Sequence, residues 1–451
     1  MLLQDYIKSL PKPKKDLSDN SAMCATKWIH TSVYLSQNIV KNCCRVPNRL
    51  ITTQDIKLYG KDVFQNHPYE LERRQEKLNN IQHTDCKDCK SCEDKNIPSA
   101  RLPKPFYDLH KTRFQQQVDG TTPLPTQLEL YFNNTCDLKC VYCDSQYSSQ
   151  WETENRKFLG IKKETINSTQ FQDVFWKWFT EDVSDKILQY YILGGEPLIQ
   201  DEFYKFLEQL IPIIEQKTNI FNVKPELIIS TNGNTPPQYL DKWFRILPEL
   251  SKVMSIQMTI SIEGIGAKAE FIRSNLNWKR FENNLNKIAN IANQFDIRLR
   301  FNLTHSVLSI TSLLELLKYL KQVKDSVGVE FELIESNVVE PSYLAPWLLS
   351  KDFSNYIDQV CCWIEVDAPE WIKYNSFIRN IANSFGNYSQ DNLQQFLKWE
   401  QQTIERRNLN FQETFPEMGE WYKDVVKKQH HLSKEINKTV DNYHGKCYNR
   451  D

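Results

Sequence analysis

From about residue 122 onwards, short apolar runs alternate with longer amphipathic stretches. Six of the runs have the length and composition of strands, and they lie at residues 128–132, 188–193, 227–230, 256–262, 299–304 and 329–334. The stretches between them have helical spacing, most clearly at residues 201–216, 237–247, 277–295 and 311–322. Because strands that are each followed by a crossover helix lie parallel, the pattern predicts an α/β fold with an open or closed barrel.

The regions on either side differ from this alternating part. We expect a tail at residues 1–19, a separate cysteine-rich unit at 20–115, the α/β barrel at 122–340 and a helical region at 341–451. The last region is rich in tryptophan. Residues such as Trp363 and Trp371 are expected to pack in its core rather than to bind a ligand.

Charge and composition narrow the class of protein. The chain has 56 basic and 57 acidic residues, and this balance gives no general footprint for nucleic acid or for an acidic membrane. No stretch approaches the roughly 20 apolar residues that span a bilayer, and the first residues contain no apolar signal region. We therefore expect a soluble cytoplasmic protein with no nucleic-acid or membrane partner.

The twelve cysteines are expected to be metal ligands or reactive thiols rather than disulfides. Three of them, Cys136, Cys140 and Cys143, fall within eight residues shortly after the first strand of the predicted barrel. Three thiolates can hold three irons of a cubane iron–sulfur cluster and leave the fourth iron free for an outside molecule. Zinc is the alternative, but structural zinc normally takes four ligands, and this loop offers three cysteines.

Further polar groups follow the next strands of the predicted barrel. The second strand ends in a turn whose backbone can face an ammonium group, at Gly194, Gly195, Glu196 and Pro197. The third ends in Thr231 and Asn232, which suit a ribose. The fourth ends in Ser261 and is followed by Glu263 and then by Arg273, whose guanidinium matches a carboxylate. Because barrel strands end at one rim, these groups predict a site for S-adenosylmethionine (SAM) beside an iron–sulfur cluster.

The motif formed by Cys136, Cys140, Tyr142 and Cys143 resembles the signature of the radical SAM superfamily. This resemblance implies a partial (β/α)6 barrel and a 4Fe–4S cluster on the three cysteines. It further implies reductive cleavage of SAM to a 5′-deoxyadenosyl radical, which abstracts a hydrogen atom from the substrate. The chain departs from the usual pattern at Asp137, where Asn is common, and at Glu263, where Asp is common.

The resemblance also implies which residues touch SAM. Tyr142 would lie near the adenine, and the turn at residues 194–197 would face the methionine amino group. Thr231 and Asn232 belong to the ribose-side motif. Ser261 and Arg273 would touch the ribose and the carboxylate.

The N-terminal cysteines resemble the auxiliary-cluster module of twitch-domain, SPASM-related radical SAM proteins. The resemblance rests on residues 24–30, 43–44, 86–89 and 97–101, and on later segments at 148–151 and 407–416. It implies an auxiliary iron–sulfur cluster, for which we expect the ligands Cys24, Cys43, Cys86 and Cys89, with Cys44 and Cys92 as alternates. The alternative to this cluster is a zinc ion bound by Cys86, Cys89 and Cys92 together with a fourth ligand. In the helical region, Cys361 and Cys362 are expected to be buried.

These resemblances imply an enzyme, a radical SAM oxidoreductase or maturase, with an electron donor such as flavodoxin or ferredoxin. A peptide or protein side chain is the favoured substrate, because relatives with an auxiliary cluster often modify peptides. A small metabolite (a sugar, nucleotide or amino acid) is the alternative substrate. A non-catalytic metal-binding scaffold on the same fold is the third hypothesis. No residue is assigned as acid or base on the substrate.

Overall fold

The computed structural model describes residues 22–94, 99, 101, 124–161, 166–216 and 224–428. The predicted tail, the side chain of Cys92 and the chain beyond residue 428 lie outside this description. The strands are β1 His30–Tyr34, β2 Ile39–Lys41, β3 Arg49–Leu50, β4 Gln127–Tyr131, β5 Lys139–Cys140, β6 Gln189–Leu193, β7 Glu226–Thr231, β8 Ser255–Ser261, β9 Arg273–Ser274, β10 Arg298–His305 and β11 Phe331–Asn337.

The α-helices alternate with these strands and continue after the last of them. They are α1 Thr26–Ile29, α2 Thr53–Tyr59, α3 Pro68–Leu78, α4 Lys87–Asp94, α5 Ser149–Leu159, α6 Thr169–Trp178, α7 Asp201–Gln216, α8 Pro237–Val253, α9 Gly266–Ile272, α10 Trp278–Phe295, α11 Leu313–Val327, α12 Ser354–Asp367, α13 Asn375–Asn383, α14 Gln390–Arg407 and α15 Phe411–Thr414. Residues 419–428 are also helical.

One large sheet organises the molecule, in the strand order β11-β10-β8-β7-β6-β4-β1-β2-β3. Every neighbouring pair from β11 to β1 is parallel. The two remaining pairs, β1 with β2 and β2 with β3, are antiparallel. All six predicted strands are present, as β4, β6, β7, β8, β10 and β11, so the prediction of an α/β fold with parallel strands is confirmed. Closure of the sheet into a partial barrel stays a prediction.

The cysteine-rich segment contributes strands to this same sheet. Strand β1 pairs with β4 in parallel, with Ser32 in register with Glu129. The sheet therefore runs across the boundary that was predicted between residues 115 and 122. The sequence hid β1 because its run His30-Thr-Ser-Val-Tyr is polar at three positions, although all five residues are buried. The division of the chain into domains stays a prediction.

The two faces of the sheet have different chemistry. Leu128 and Leu130 on β4 belong to the main apolar core, together with helix residues such as Phe206 of α7. Burying one such side chain contributes about 1.5–3 kcal/mol. On the other face, Gln127 donates to Gln189 at 2.7 Å, and Gln189 donates to Glu226 at 2.9 Å. One face thus holds the helices, and the other carries polar groups along successive strands.

The aromatic side chains of the helices after β11 are packed into the main apolar core, as the tryptophan content predicts. Trp371 and Trp399 are buried there. Cys361 of α12 is buried as predicted, but the prediction for Cys362 is wrong because its side chain is exposed. Neighbouring residues of a helix point about 100° apart, so the two cysteines reach different environments.

No helix within the described ranges combines the length and the apolar character that crossing a bilayer requires.

Candidate functional site

The three-cysteine loop follows β4 and is fixed by hydrogen bonds on both sides. The backbone N–H of Cys136 donates to Ser149 Oγ at 3.2 Å, and Ser149 Oγ donates back to the Cys136 carbonyl at 3.1 Å. Further along, β5 pairs with β9, which places Cys140 in register with Arg273. The loop is therefore anchored to α5 on one side and to the segment after α9 on the other.

The thiols of this loop influence one another electrostatically. Burial raises the pKa of Cys136, and the neighbouring Cys140 raises it further. Burial together with Cys140 raises the pKa of Cys143 to about 12. Thiols in this state are protonated unless a cation binds them, because a bound metal stabilises the thiolate form.

No group of three or more His, Cys, Asp or Glu side chains in the described part of the chain already converges on one ion. A cubane places its thiolates on different irons, so its ligands need not converge on one point. Three mutually interacting thiols on one anchored loop therefore fit a cluster with one open iron.

Arg273 is the residue expected to bind the carboxylate of SAM. In the structure its guanidinium binds the carboxylate of Glu263. Its Nε and Nη2 donate to the two carboxylate oxygens of Glu263, each at 2.6 Å. Nη2 also donates to Tyr142 Oη at 2.8 Å, and Nη1 lies 3.6 Å from Cys140 Sγ. Arg273 thus joins three of the predicted site residues, and a ligand carboxylate would have to share the guanidinium with Glu263.

The glycine turn after β6 is backbone that only glycine fits. Gly194 and Gly195 have φ of +81° and +58°. A Cβ on Gly194 would overlap the Tyr131 ring, and a Cβ on Gly195 would overlap the Thr135 carbonyl. Gln200 Nε2 donates to the Gly194 carbonyl at 3.0 Å. The turn therefore lies directly against the strand end and the loop that lead to Cys136.

Glu196 connects this turn to the end of β7. Its Oε1 accepts from Thr231 Oγ1 at 2.8 Å and from the Leu198 N–H at 3.2 Å, at the start of the short helix that begins with Pro197. Its Oε2 accepts from the backbone N–H of Asn232 at 2.7 Å. Burial, and to a smaller extent the negative charge of Asp137, raises the pKa of Glu196 to about 8.

Asp137 connects the cysteine loop to the same region. Its carboxylate accepts from Asn232 Nδ2 at 2.8 Å and from Asn234 Nδ2 at 2.7 Å. Asn232 Nδ2 also lies 4.0 Å from Cys136 Sγ. Ser261 lies at the end of β8, in register with Asn302 and half-buried. The predicted residues therefore gather at one rim of the sheet, and Asp137 holds two of its amides.

A polar chain on the face of β1 and β4 opposite the apolar core was missed by sequence reasoning. His30 Nε2 lies 2.9 Å from Ser32 Oγ, and Ser32 Oγ donates to Glu129 Oε1 at 2.8 Å. Tyr34 and Tyr131 stack beside it, with ring centroids 3.9 Å apart. The signal was present, because Glu129 and Tyr131 alternate with Leu128 and Leu130 along β4 and must point to the face opposite the apolar core.

The N-terminal cysteines lie in three places. Cys24 precedes α1, Cys43 and Cys44 lie in the turn after β2, and Cys86 and Cys89 lie at the start of α4. The positive charge of Arg101 acts on both Cys24 and Cys86, and Lys77 Nζ donates to Cys86 Sγ at 3.1 Å. Two cationic side chains thus lie near these thiols. The ligand set of the auxiliary cluster stays a prediction.

No protein-family model matches this chain, and no curated protein matches it in sequence. It is similar to the crystal structure of Streptococcus suis SuiB bound to S-adenosylmethionine, at 17% identity and a TM-score of 0.35, over 74% of this chain and 70% of that one. It is also similar to SuiB bound to the precursor peptide SuiA, at 15% identity and a TM-score of 0.35, over 75% and 69% of the two chains.

A third similar structure is native anSMEcpe with bound AdoMet, at 17% identity and a TM-score of 0.35. The likeness covers 52% of this chain and 58% of anSMEcpe, so it spans less than two thirds of that protein.

Proposed function

We propose that this chain is a radical SAM enzyme. The observation that carries the proposal is the position of Asn232, which connects the cysteine loop to the remaining motifs. Its side chain donates to Asp137 and lies 4.0 Å from Cys136 Sγ, while its backbone N–H donates to Glu196. The cysteine loop and the ligand-binding motifs therefore meet at Asn232. This arrangement supports a combined site for a cluster and SAM better than it supports a structural zinc site.

In this proposal Cys136, Cys140 and Cys143 hold a 4Fe–4S cluster, and SAM binds at its open iron. The 4Fe–4S cluster, with SAM bound, would supply the reductive cleavage of SAM and the radical that takes a hydrogen atom from the substrate. The remaining chemistry belongs to the protein, which orients the bound molecule and keeps water away from it.

The turn at residues 194–197 would orient the methionine end of SAM. Gln200 and Tyr131 fix the conformation of Gly194, so its backbone groups are held in place before a ligand arrives. Glu196 is fully buried and holds the β7 end in position through Thr231 and Asn232. On the opposite side, Tyr142 and Arg273 would flank the adenine and the carboxylate.

The substrate would enter over the polar face of the sheet, beside Glu129 and the stacked tyrosines. A peptide or protein side chain is the proposed substrate class, on the sequence resemblance to the auxiliary-cluster subgroup. SuiB and anSMEcpe have been crystallised with peptides. The auxiliary cluster on Cys24, Cys43, Cys86 and Cys89 belongs to the same proposal.

Anaerobic purification with metal analysis tests the function. The protein should contain iron and acid-labile sulfide and should form 5′-deoxyadenosine from SAM with dithionite. Cys140→Ala should abolish that product. Cys362→Ala is the matched control, because this thiol is exposed on α12 and should leave the product unchanged. Zinc without sulfide, or full turnover in Cys140→Ala, would contradict the proposal.

A further inference from the structure

Arg407, the last residue of α14, reaches across the molecule to the cysteine loop. Its Nε and Nη2 donate to the carboxylate of Glu154 on α5, at 3.1–3.2 Å. Its Nη1 donates to the carbonyl of Lys139 at 3.0 Å and to Ser274 Oγ at 3.1 Å. Only 4% of the side chain is exposed, so the whole guanidinium is used inside the protein.

The next residue of the loop, Cys140, is held from the same side. Trp151 Nε1 donates to the Cys140 carbonyl at 2.8 Å. The guanidinium carbon of Arg407 lies 4.3 Å from the centre of the Trp151 ring. Two successive carbonyls, those of Lys139 and Cys140, are therefore bound by Arg407 and Trp151, and these two side chains stack on each other.

The charges around Glu154 do not balance. Lys139 Nζ donates to Glu154 Oε2 at 2.8 Å, and Arg407 binds the same carboxylate. Two cations on one carboxylate leave this group, on the α5 side of the loop, with one net positive charge, while the loop's own Asp137 acts on Cys140 with the opposite sign. The Arg273–Glu263 pair on the other side of Cys140 is neutral as a pair. Since Glu154 and Arg407 are each only 4% exposed, water screens this excess charge weakly.

A simpler role for Arg407 is to stabilise the end of its helix, because a cation is favourable at a helix C-terminus. Arg406 occupies the same last turn and serves that role equally well. Its contact is different, however, since its guanidinium carbon lies 5.7 Å from the centre of the Phe158 ring. Within the described part of the chain, Arg407 makes the hydrogen bonds from this turn to the cysteine loop.

We propose that Arg407 is a positioning residue that fixes the main chain at Cys140 and raises the reduction potential of the cluster held there. The inference rests on the proposed function. In the step concerned, the cluster accepts one electron from an external one-electron reductant, and no bond is formed or broken. Reduction adds one negative charge to the cluster, so a net positive charge beside it favours the reduced form.

Potentiometric titration of the full-length protein, followed by EPR, tests this inference. The signal to follow is the one that Cys140→Ala lacks. Arg407→Met should make the ratio of reduced to oxidised cluster about tenfold smaller at a fixed potential, which is about 59 mV for one electron. Arg407→Lys, which keeps the charge, should restore most of that ratio. Arg406→Met is the matched control and should leave it unchanged.

A second variant keeps Arg407 and should change the ratio of reduced to oxidised cluster in the opposite direction. Glu154→Gln leaves both cations without their carboxylate, so the ratio of reduced to oxidised cluster should rise. Iron content and melting temperature of each variant provide readouts besides activity. If Arg407→Met does not take up the cluster, Glu154→Gln decides the matter.

The failures of the inference and of the proposed function are distinguishable. Unchanged ratios in both Arg407→Met and Glu154→Gln, with full iron content, would overturn the role of Arg407 alone. A wild-type protein that takes up no cluster would overturn the proposed function and this inference with it.

Discussion

Asn232 donates its side-chain amide to the carboxylate of Asp137 at 2.8 Å, across 95 residues of sequence. The contact joins the loop that carries the three cysteines to the end of β7. Asp137 also accepts from Asn234, so one carboxylate holds two amides of the ribose-side motif. Because its carboxylate accepts from two amides, this chain has a use for Asp at position 137, where the signature that the loop resembles commonly has Asn.

Asp137→Ala should therefore destabilise the protein. The substitution leaves the amides of Asn232 and Asn234 without their acceptor, which costs about 1–3 kcal/mol for a buried group. Thermal or urea unfolding of the metal-free protein measures the change. Asp201→Asn is a suitable control, since the Asp201 side chain is 68% exposed and its ion pair with Lys242 lies at the surface. Equal stability of Asp137→Ala and wild type would show that the two amides do not depend on this carboxylate.

Gly194→Ala should prevent SAM binding and lower stability. Its methyl group would meet the Tyr131 ring, and the φ of +81° is itself unfavourable for alanine. Gly386→Ala separates these two effects, because Gly386 has a similar φ of +85° and open space around its Cβ position. Equilibrium dialysis with SAM and thermal melting should show a large loss for Gly194→Ala and only the smaller backbone effect for Gly386→Ala. Similar losses in both variants would show that the Tyr131 ring does not restrict the side chain at position 194.

The buried Glu196 predicts a pH dependence of stability. Its pKa is raised to about 8 in the folded protein, from an ordinary value of 4.5. Between these values the folded state binds more protons than the unfolded state, so stability falls as the pH rises. Glu196→Gln removes this titration. The stability of the variant relative to wild type should therefore increase from about pH 5 to pH 8, measured by unfolding of the metal-free protein. A constant difference over this range would mean that Glu196 titrates near its ordinary value.

The auxiliary cluster is tested by Cys89→Ala. The variant should contain less iron and sulfide than wild type but retain some cleavage of SAM, because the loop at residues 136–143 is intact. Cys362→Ala again serves as the control thiol. Unchanged iron in Cys89→Ala would place the auxiliary ligands elsewhere among the N-terminal cysteines.

Local patterns were sufficient to predict the parallel strands and the residues at their ends. Strand β1 escaped because its first three residues are polar and do not alternate with apolar ones, and its pairing with β4 is visible only in the folded structure. The partners of the site residues could not be predicted either. Arg273 binds Glu263, and Arg407 binds Glu154 from 253 residues away, and such pairings depend on the folded arrangement. Residue types at strand ends thus predicted which residues meet at one rim of the sheet, but not the bonds among them.

In the proposed function, the cluster on Cys136, Cys140 and Cys143 has one iron reserved for SAM. Electron–nuclear double resonance on the dithionite-reduced protein tests this, with SAM labelled with 15N in its amino group and 17O in its carboxylate. We expect hyperfine coupling from both labels, and the loss of both couplings in Cys140→Ala. A reduced cluster of full intensity that shows no coupling to either label would show that no iron of this cluster binds SAM.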